Sequence, residues 1–254
     1  MSISDFEGQT ALFIGGASGM GLAAAQELAG RGAQVIIADR DASAAAEQAE
    51  LLAGKGLLAV GYSLDATSAA DRAKLLASIE AKFGGINLWF NTIGDHGPPG
   101  FSLDEEAYDR VFELNLKVHY FSLIEALPLL RARAPKTCAI LMSSAGGLRY
   151  GGRSPLYATT KAALVMLARA LAKDLGPEGI RVHALCPGPV DTPFGGSDRD
   201  AAARAATIAA FEQEIPLRRV AYPIDIARVV AFLASEAGSY LTGLTFPVEG
   251  GLLA

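Results

Sequence analysis

The sequence predicts an α/β fold: a doubly wound, Rossmann-like arrangement of about seven parallel strands with helices on both faces. Three observations carry that expectation. Short apolar runs alternate with helical stretches along nearly all of the 254 residues, which implies crossover connections and a parallel sheet. The apolar runs are continuous rather than alternating, as burial on both faces of a sheet demands. Hydrophobic residues make up 51% of the chain, enough for a large core and too many for a disordered one.

The elements follow in order. "TALFIGG" (Thr10–Gly16) reads as a buried strand ending in glycine, and the alanine-rich run Gly21–Gly32 as a helix stopped by glycine. "QVIIADR" (Gln34–Arg40) is a second strand and Asp41–Gly54 a second helix. Gly56–Asp65 and Ser68–Phe83 form the third such pair, and "INLWFNTIG" (Ile86–Gly94) is the fourth strand. Two helical stretches follow, within Asp104–Asn115 and Leu116–Arg133. "TCAILMSS" (Thr137–Ser144) is the fifth strand, and a long helix spans Tyr157–Leu175. "IRVHALCPG" (Ile180–Gly188) and "LTFPVEGG" (Leu244–Gly251) complete the sheet. No compositional break suggests a linker, so residues 1–254 read as one domain. The segment Thr192–Arg219, polar and then helical, interrupts the alternation. It reads as a lid over a pocket in preference to a surface excursion, because long insertions in compact domains are usually functional.

Composition narrows the function. Net charge is −5, with both signs dispersed and no basic block, which argues against nucleic acid or an anionic membrane as partner. Cys138 and Cys186 stand far apart, with neither a zinc signature nor a disulfide framework; a reduced, cytoplasmic setting is expected. The N-terminal stretch lacks the pattern of a signal peptide, and no run approaches the roughly 18–20 apolar residues of a membrane helix.

In open parallel sheets, ligands bind beyond the carboxyl ends of the strands. After the first strand comes "GGASGMG", where Gly15, Gly19 and Gly21 are spaced G-x-x-x-G-x-G around Ser18 and Met20. Glycines permit a sharp turn and close approach to a pyrophosphate, which the helix N-terminus attracts. Its place in the first strand–helix turn favours a dinucleotide site over a plain connection. The second strand ends in Asp39, whose carboxylate suits ribose hydroxyls and repels a 2′-phosphate. That favours NAD over NADP, although Arg40 beside it would pair with a phosphate if the loop turned inward. Capping a helix is the alternative role for Asp39. Asp65 ends the third strand, placed either for an adenine edge or for a cap. Tyr157 and Lys161 lie one turn apart on one helix face. A tyrosine ordinarily titrates at about 10, and a neighbouring ammonium favours its phenolate. Ser144, at the end of the fifth strand, is placed to bind the same substrate oxygen.

With these residues in view, the chain resembles the short-chain dehydrogenase/reductase family in its single-domain, NAD-preferring form. The resemblance rests on the glycine turn, "NTIG" at Asn91–Gly94, Asn115 in "ELNLK", "SS" at Ser143–Ser144, Tyr157-x-x-x-Lys161 and "PGPVDT" at Pro187–Thr192, in the family's order and spacing. It implies Tyr157 as acid/base, Ser144 polarising the substrate oxygen, Lys161 tuning the phenol and holding ribose hydroxyls, and Asn115 keeping a relay water. It also implies the pyrophosphate on Gly15, Gly19 and Gly21, the adenosine beside Asn91 and Gly94, and the carboxamide near Pro187, Gly188, Val190 and Thr192. The implied reaction is hydride transfer between NAD(H) and a small-molecule secondary alcohol or ketone, with a homotetramer, or a homodimer, as the expected assembly. Two positions depart from the pattern: Ile14 replaces a threonine, and Thr92-Ile93 replaces asparagine–alanine. The competing readings are an NADPH-linked 3-oxoacyl carrier-protein reductase and a non-catalytic dinucleotide-binding sensor. Asp39 opposes the former, and the intact Ser144, Tyr157, Lys161 and Asn115 set opposes the latter. His96, Arg149 and Arg153 flank the expected pocket, where each reads either as a contact for an anionic or polar substrate or, in preference, as a solvated loop residue. Phe101, Tyr150 and Phe194 suit an apolar wall or ordinary packing, and Cys186 reads as a small core residue.

Overall fold

The structure, a computed structural model, describes residues 5–101, 104–151, 154–192 and 201–254, with the backbone alone for Ala201–Ala203. Seven strands form one parallel sheet in the order β3-β2-β1-β4-β5-β6-β7. They are β1 (Thr10–Ile14), β2 (Gln34–Asp39), β3 (Ala59–Ser63), β4 (Leu88–Asn91), β5 (Thr137–Met142), β6 (Ile180–Pro187) and β7 (Thr245–Val248). Alternate residues of the central strands feed two separate cores. Leu12, Ile14, Ile36 and Trp89 face one side, under α3 (Ala69–Phe83), α5 (Val118–Arg131) and α6 (Pro155–Leu175). Ala11, Phe13, Ile37 and Phe90 face the other, under α1 (Gly19–Ala29), α2 (Ala42–Ala53) and α8 (Pro223–Ala234). This double burial is why the strands read as unbroken apolar runs.

The strand order reverses between β1 and β4. The chain runs outward from β1 to β3 and then crosses back to place β4 beside β1. Connections leaving this point diverge and open a crevice at the carboxyl edge. Across it, the Thr92 amide donates to Ile14 O at 2.9 Å, and the Thr92 hydroxyl donates to Gly15 O at 2.9 Å.

Several boundaries differ from the expected ones. The predicted strands overrun, because glycines and serines that already turn into the crevice continue the apolar runs; β5 stops at Met142 rather than Ser144. The two helical stretches over residues 104–133 are one continuous rod. α4 (Glu105–Phe112) passes through a π-turn, Glu113–Lys117, into α5 without a break. α6 begins two residues before Tyr157, because Ser154 caps it, its hydroxyl accepting from the Tyr157 amide at 3.3 Å, and Pro155 fills the first turn. α8 is an addition to the predicted set. Asp225 accepts from the Tyr222 amide at 2.8 Å, Pro223 opens the helix, and Ile226, Ala227, Val230 and Ala231 are buried. Within the interruption, α7 spans Ala201–Glu214; residues 193–200 lie outside the described residues. Beyond α7 the chain is tied down by the Leu217 amide, which donates to Gly250 O at 3.1 Å.

Candidate active site

The glycine turn is closed by one backbone contact and one with the Thr92 side chain. A Cβ on Gly21 would stand 2.3 Å from Gly15 O, and one on Gly15 would stand 2.7 Å from Thr92 Oγ1. Both positions therefore exclude any side chain. Gly19 differs: its φ is +53°, in the left-handed region, and a Cβ there would approach Thr192 at 3.5 Å. A single carbon would thus fill the cradle between the turn and Thr192. The first turn of α1 carries no acidic residue, and Ser18 at its N-cap makes no side-chain cap bond. A pyrophosphate fits this arrangement, with backbone N–H groups and the positive helix end facing it. Met20, in the first turn, packs toward the α1 side of the core.

Asp39 is held over this turn. One carboxylate oxygen accepts from the Ala17 amide at 3.2 Å and the other from Asp41 N at 3.2 Å. It is not the cap of α2; that role belongs to Asp41. Arg40 is exposed beside it. Asp65 does not cap α3 either, since Ser68 does. Its carboxylate accepts from the Thr67 hydroxyl at 2.7 Å and the Thr67 amide at 3.0 Å. Those two bonds hold it below the usual carboxylate range, with smaller help from Arg40 and Arg72.

Asn91 is fully buried and turned inward; its Oδ1 accepts from the Ile93 amide at 2.9 Å, which shapes the loop leading to Gly94. The segment after β6 returns to the crevice from the other side. The Gly188 amide donates to Val248 O at 3.0 Å, and a Cβ on Gly188 would meet Glu249 Cα at 2.9 Å. Val190 bridges to Ala221, and Asp191 pairs with Arg204 of α7. Pro187 ends β6 and Thr192, nearly buried, reaches the Gly19 cradle.

Ser144, Tyr157 and Lys161 converge. Ser144 caps a single 3₁₀ turn, Ala145–Gly147, its hydroxyl oxygen accepting from the Gly146 amide at 3.1 Å. A Cβ on Gly146 would lie 3.4 Å from Ser144 Oγ and 3.7 Å from Tyr157 Cε1. The two groups therefore flank one small gap. Lys161 Nζ lies 5.6 Å from the centre of the Tyr157 ring and donates to Met142 O at 2.9 Å. Burial pushes its ammonium down to about 7, with the Cys186 thiol opposing the shift. Cys186 is itself completely buried, and burial raises its thiol, which makes it a core group.

Asn115 sits in the π-turn, and its side chain is committed. Oδ1 accepts from the Asp95 amide at 2.7 Å, while Nδ2 donates to Asp95 O at 2.8 Å and to Thr160 Oγ1 at 3.0 Å. Thr160 Oγ1 donates in turn to Tyr157 O at 2.8 Å. One amide thus joins the loop after β4 to the helix that carries the tyrosine. Next to it, His119 Nε2 bonds Ile93 O at 2.9 Å. Its buried Nδ1 and the nearby Trp89 Nε1 lack partners among the described residues. Burial and then the Lys161 charge push His119 down to about 3, so it is neutral.

The flanking residues behave differently from expectation. His96 is not a solvated loop residue; its ring lies 4.8 Å from the Tyr157 ring at 50°. Arg149 donates to Leu252 O, which ties the loop after β5 to the C-terminal segment. Arg153 and Phe194 lie outside the described residues, and Phe101 and Tyr150 are exposed. Gly146, Thr160, Asp95 and His96 complete the constellation; of these the sequence singled out only His96, as a residue flanking the expected pocket. Gly147 belongs with these, since a Cβ there would strike Lys161 C at 2.7 Å.

A parallel sheet reversing at β1/β4, a glycine cradle and a Ser–Tyr–Lys cluster define a nucleotide-dependent oxidoreductase scaffold. The protein family described as enoyl-(acyl carrier protein) reductase matches residues 15–253. The chain belongs to the short-chain dehydrogenase/reductase family. It is 34% identical to 4-formylbenzenesulfonate dehydrogenase of Comamonas testosteroni, over 96% of this chain and 97% of that one. It is 34% identical to galactitol 2-dehydrogenase of Agrobacterium fabrum, over 96% of each. To 3beta-hydroxysteroid dehydrogenase 1 of Eggerthella lenta it is 31% identical, over 98% of this chain and 95% of that one. Among the described residues, no helix is long and apolar enough to cross a membrane.

Proposed function

We propose that the protein transfers hydride between NAD(H) and a secondary alcohol or ketone. The observation that carries this reading is the gap at Gly146, bounded by Ser144 Oγ and the Tyr157 ring, with Lys161 Nζ 5.6 Å from the centre of that ring. In the oxidative direction, the Tyr157 phenolate accepts the carbinol proton; in reduction, the phenol returns it to the carbonyl oxygen. The Ser144 hydroxyl, accepting from Gly146, directs its own proton to the same oxygen. Lys161, when protonated, stabilises the phenolate, and it reaches toward the ribose hydroxyls of the nucleotide. The nicotinamide dinucleotide supplies the hydride acceptor or donor when bound. Gly15, Gly19 and Gly21 hold its pyrophosphate and Thr192 closes the far side. The Asp39 carboxylate, pinned by Ala17 N and Asp41 N, supports NAD over NADP.

The relatives named for galactitol and for a 3beta-hydroxysteroid support a hydroxyl-bearing substrate. No basic block is present to receive an acidic carrier protein, which favours a free small molecule. The chain acts as one catalytic domain with residues 192–219 as a lid, and its two buried, unpaired cysteines suit a reducing cytoplasm. Exposed Tyr120 and Phe121 line an open groove of about 730 Å³ between the α4–α5 rod and α6, a face suited to self-association as a homotetramer or homodimer. The test is turnover of a panel of secondary alcohols and ketones with each nucleotide, followed at the reduced-nicotinamide absorbance. NAD-dependent turnover supports the proposal; turnover with NADP(H) alone, or none with any panel member, refutes it.

A further inference from the structure

Among the described residues the buried cations are Lys161 and Arg72. Lys161 serves the phenol, whereas Arg72 takes no part in the proton traffic. It lies on α3 in line with Leu75 and Ile79, the stripe that this helix buries. An apolar side chain would pack that position at lower cost, because a guanidinium leaves water only when its donors are matched. Nε and Nη2 donate side by side to the two carboxylate oxygens of Glu125, on α5, at 2.8 and 2.9 Å. That paired contact fixes the plane of the guanidinium and so aims its third nitrogen. Nη1 donates to two backbone oxygens, Ala66 O at 2.8 Å and Thr67 O at 3.1 Å.

Those two carbonyls belong to the turn between β3 and α3. Three turns stand in a row along this half of the sheet edge. The first is the glycine turn after β1. The second carries Asp39, whose carboxylate accepts from the Ala17 amide of the first. The third lies beside the second: Asp39 pairs with Ser63 across the strands, and the Leu64 amide donates to Asp39 O at 2.8 Å. A dinucleotide with its pyrophosphate on the first turn and its adenosine ribose at the second sets its base on the third. Asp65 offers an acceptor there for the adenine amino group. Its Oδ1 takes both Thr67 bonds, and no bond among the described residues engages its Oδ2. The Thr67 bonds lock this carboxylate to the turn, so the turn decides where it stands. Arg72 ties that turn to α5.

We propose that Arg72 is a positioning residue for the adenine end of the nucleotide: through Ala66 O and Thr67 O it holds the turn after β3, and Asp65 with it, against the Glu125 side chain of α5. The inference rests on the proposed use of NAD(H) and adds to it a residue remote from every reacting atom. Without the guanidinium the turn drifts from the base. Affinity for the adenosine half then falls, while the nicotinamide half and the proton-transfer groups keep their places. The expected loss is about tenfold, the worth of one hydrogen bond to a carboxylate.

The test uses the full-length protein and three ligands titrated in turn. NADH is followed by its fluorescence, AMP by its displacement of NADH, and reduced nicotinamide mononucleotide by its own fluorescence. AMP carries the adenine end alone, and the mononucleotide carries the nicotinamide end alone. Arg72→Met is expected to weaken NADH and AMP by a common factor of about ten and to leave the mononucleotide within about twofold of wild type. In turnover, KM for NAD+ rises by the same factor and kcat stays near wild type. Glu125→Gln keeps Arg72 and its bonds to the turn but exchanges an ion pair for a neutral contact. It is expected to show the same pattern at about threefold, and it decides the matter alone if Arg72→Met does not fold. Equal weakening of all three ligands would assign Arg72 to general stability and overturn the proposal. Unchanged affinity for NADH and AMP would overturn it as well. A wild-type protein that binds neither NADH nor AMP would overturn the nucleotide reading itself, and this inference with it.

Discussion

Two turns leave the sheet side by side, one after β1 and one after β4, and they are built on different principles. The Gly15–Gly21 turn is held by close packing at the glycines: Gly21 against the backbone oxygen of Gly15, and Gly15 against the Thr92 hydroxyl. The Asp95–Gly97 turn is held from outside, by side chains of α4 and the π-turn, Arg110 and Asn115. In the proposed function the first holds the nucleotide, and it tolerates almost no side chains. The second would face the substrate, and its bracing bonds come from residues remote in sequence. A rigid nucleotide floor and a separately braced substrate rim let one scaffold keep its cofactor while its specificity changes.

The comparison can be broken most sharply at the floor. Gly21→Val puts branched carbon where Gly15 O already stands at 2.3 Å from a Cβ position. It should abolish detectable nucleotide binding by fluorescence titration and lower stability by about 2–3 kcal/mol. A variant that binds NADH normally would show that the turn is not the nucleotide floor. At the rim, Asn115→Leu removes three hydrogen bonds and leaves Asp95 N–H and C=O unmatched. A loss of about 2–4 kcal/mol in urea unfolding is expected, together with reduced kcat and little change in nucleotide affinity. Equal losses in both would mean that floor and rim form one unit.

The buried bases set smaller, pH-dependent effects. His119 and His183 are held neutral, pushed from 6.5 down to about 3 and about 4, chiefly by burial. As pH falls below 6.5 the unfolded chain takes protons that the folded chain refuses, so stability is lost. The loss is about 2 kcal/mol for each histidine by pH 5. His183→Phe should remove its share of the slope between pH 7 and 5 in denaturant melts; an unchanged slope would contradict neutral burial. Lys161 works over a higher window. Its folded value of about 7 lies below the ordinary 10.5, so folding becomes more favourable as pH rises between the two, and Lys161→Met should flatten that rise. The smallest effect concerns choice of nucleotide: Asp39→Ser should narrow the preference for NAD over NADP by about tenfold, read as a ratio of kcat/KM.

The close-packed glycine turn was legible in the sequence, and of the second turn only its single residues Asn115 and His96 were, not the bonds that brace it, for a physical reason. Strands buried on both faces must be continuously apolar, and a turn that meets a backbone oxygen must be glycine, so local residue types announce both. Tyr157 and Lys161 announce each other because helix geometry puts i and i+4 on one face. The tie between Asn115 and Asp95 spans twenty positions and leaves no local mark. The π-turn that carries Asn115 has neither glycine nor proline at its seam, so one rod read as two helices. His96 looks like any polar loop residue until the fold lays it on the tyrosine, and Gly146 shows its purpose only once Ser144 and Tyr157 stand on either side.

The phenol of Tyr157 is the centre of the account, and removing its oxygen tests it most directly. Tyr157→Phe should fold with an unchanged melting temperature, bind NADH with an affinity within a few-fold of wild type, and lose kcat by about a thousandfold or more. Turnover within tenfold of wild type in that variant would show that another group carries the proton.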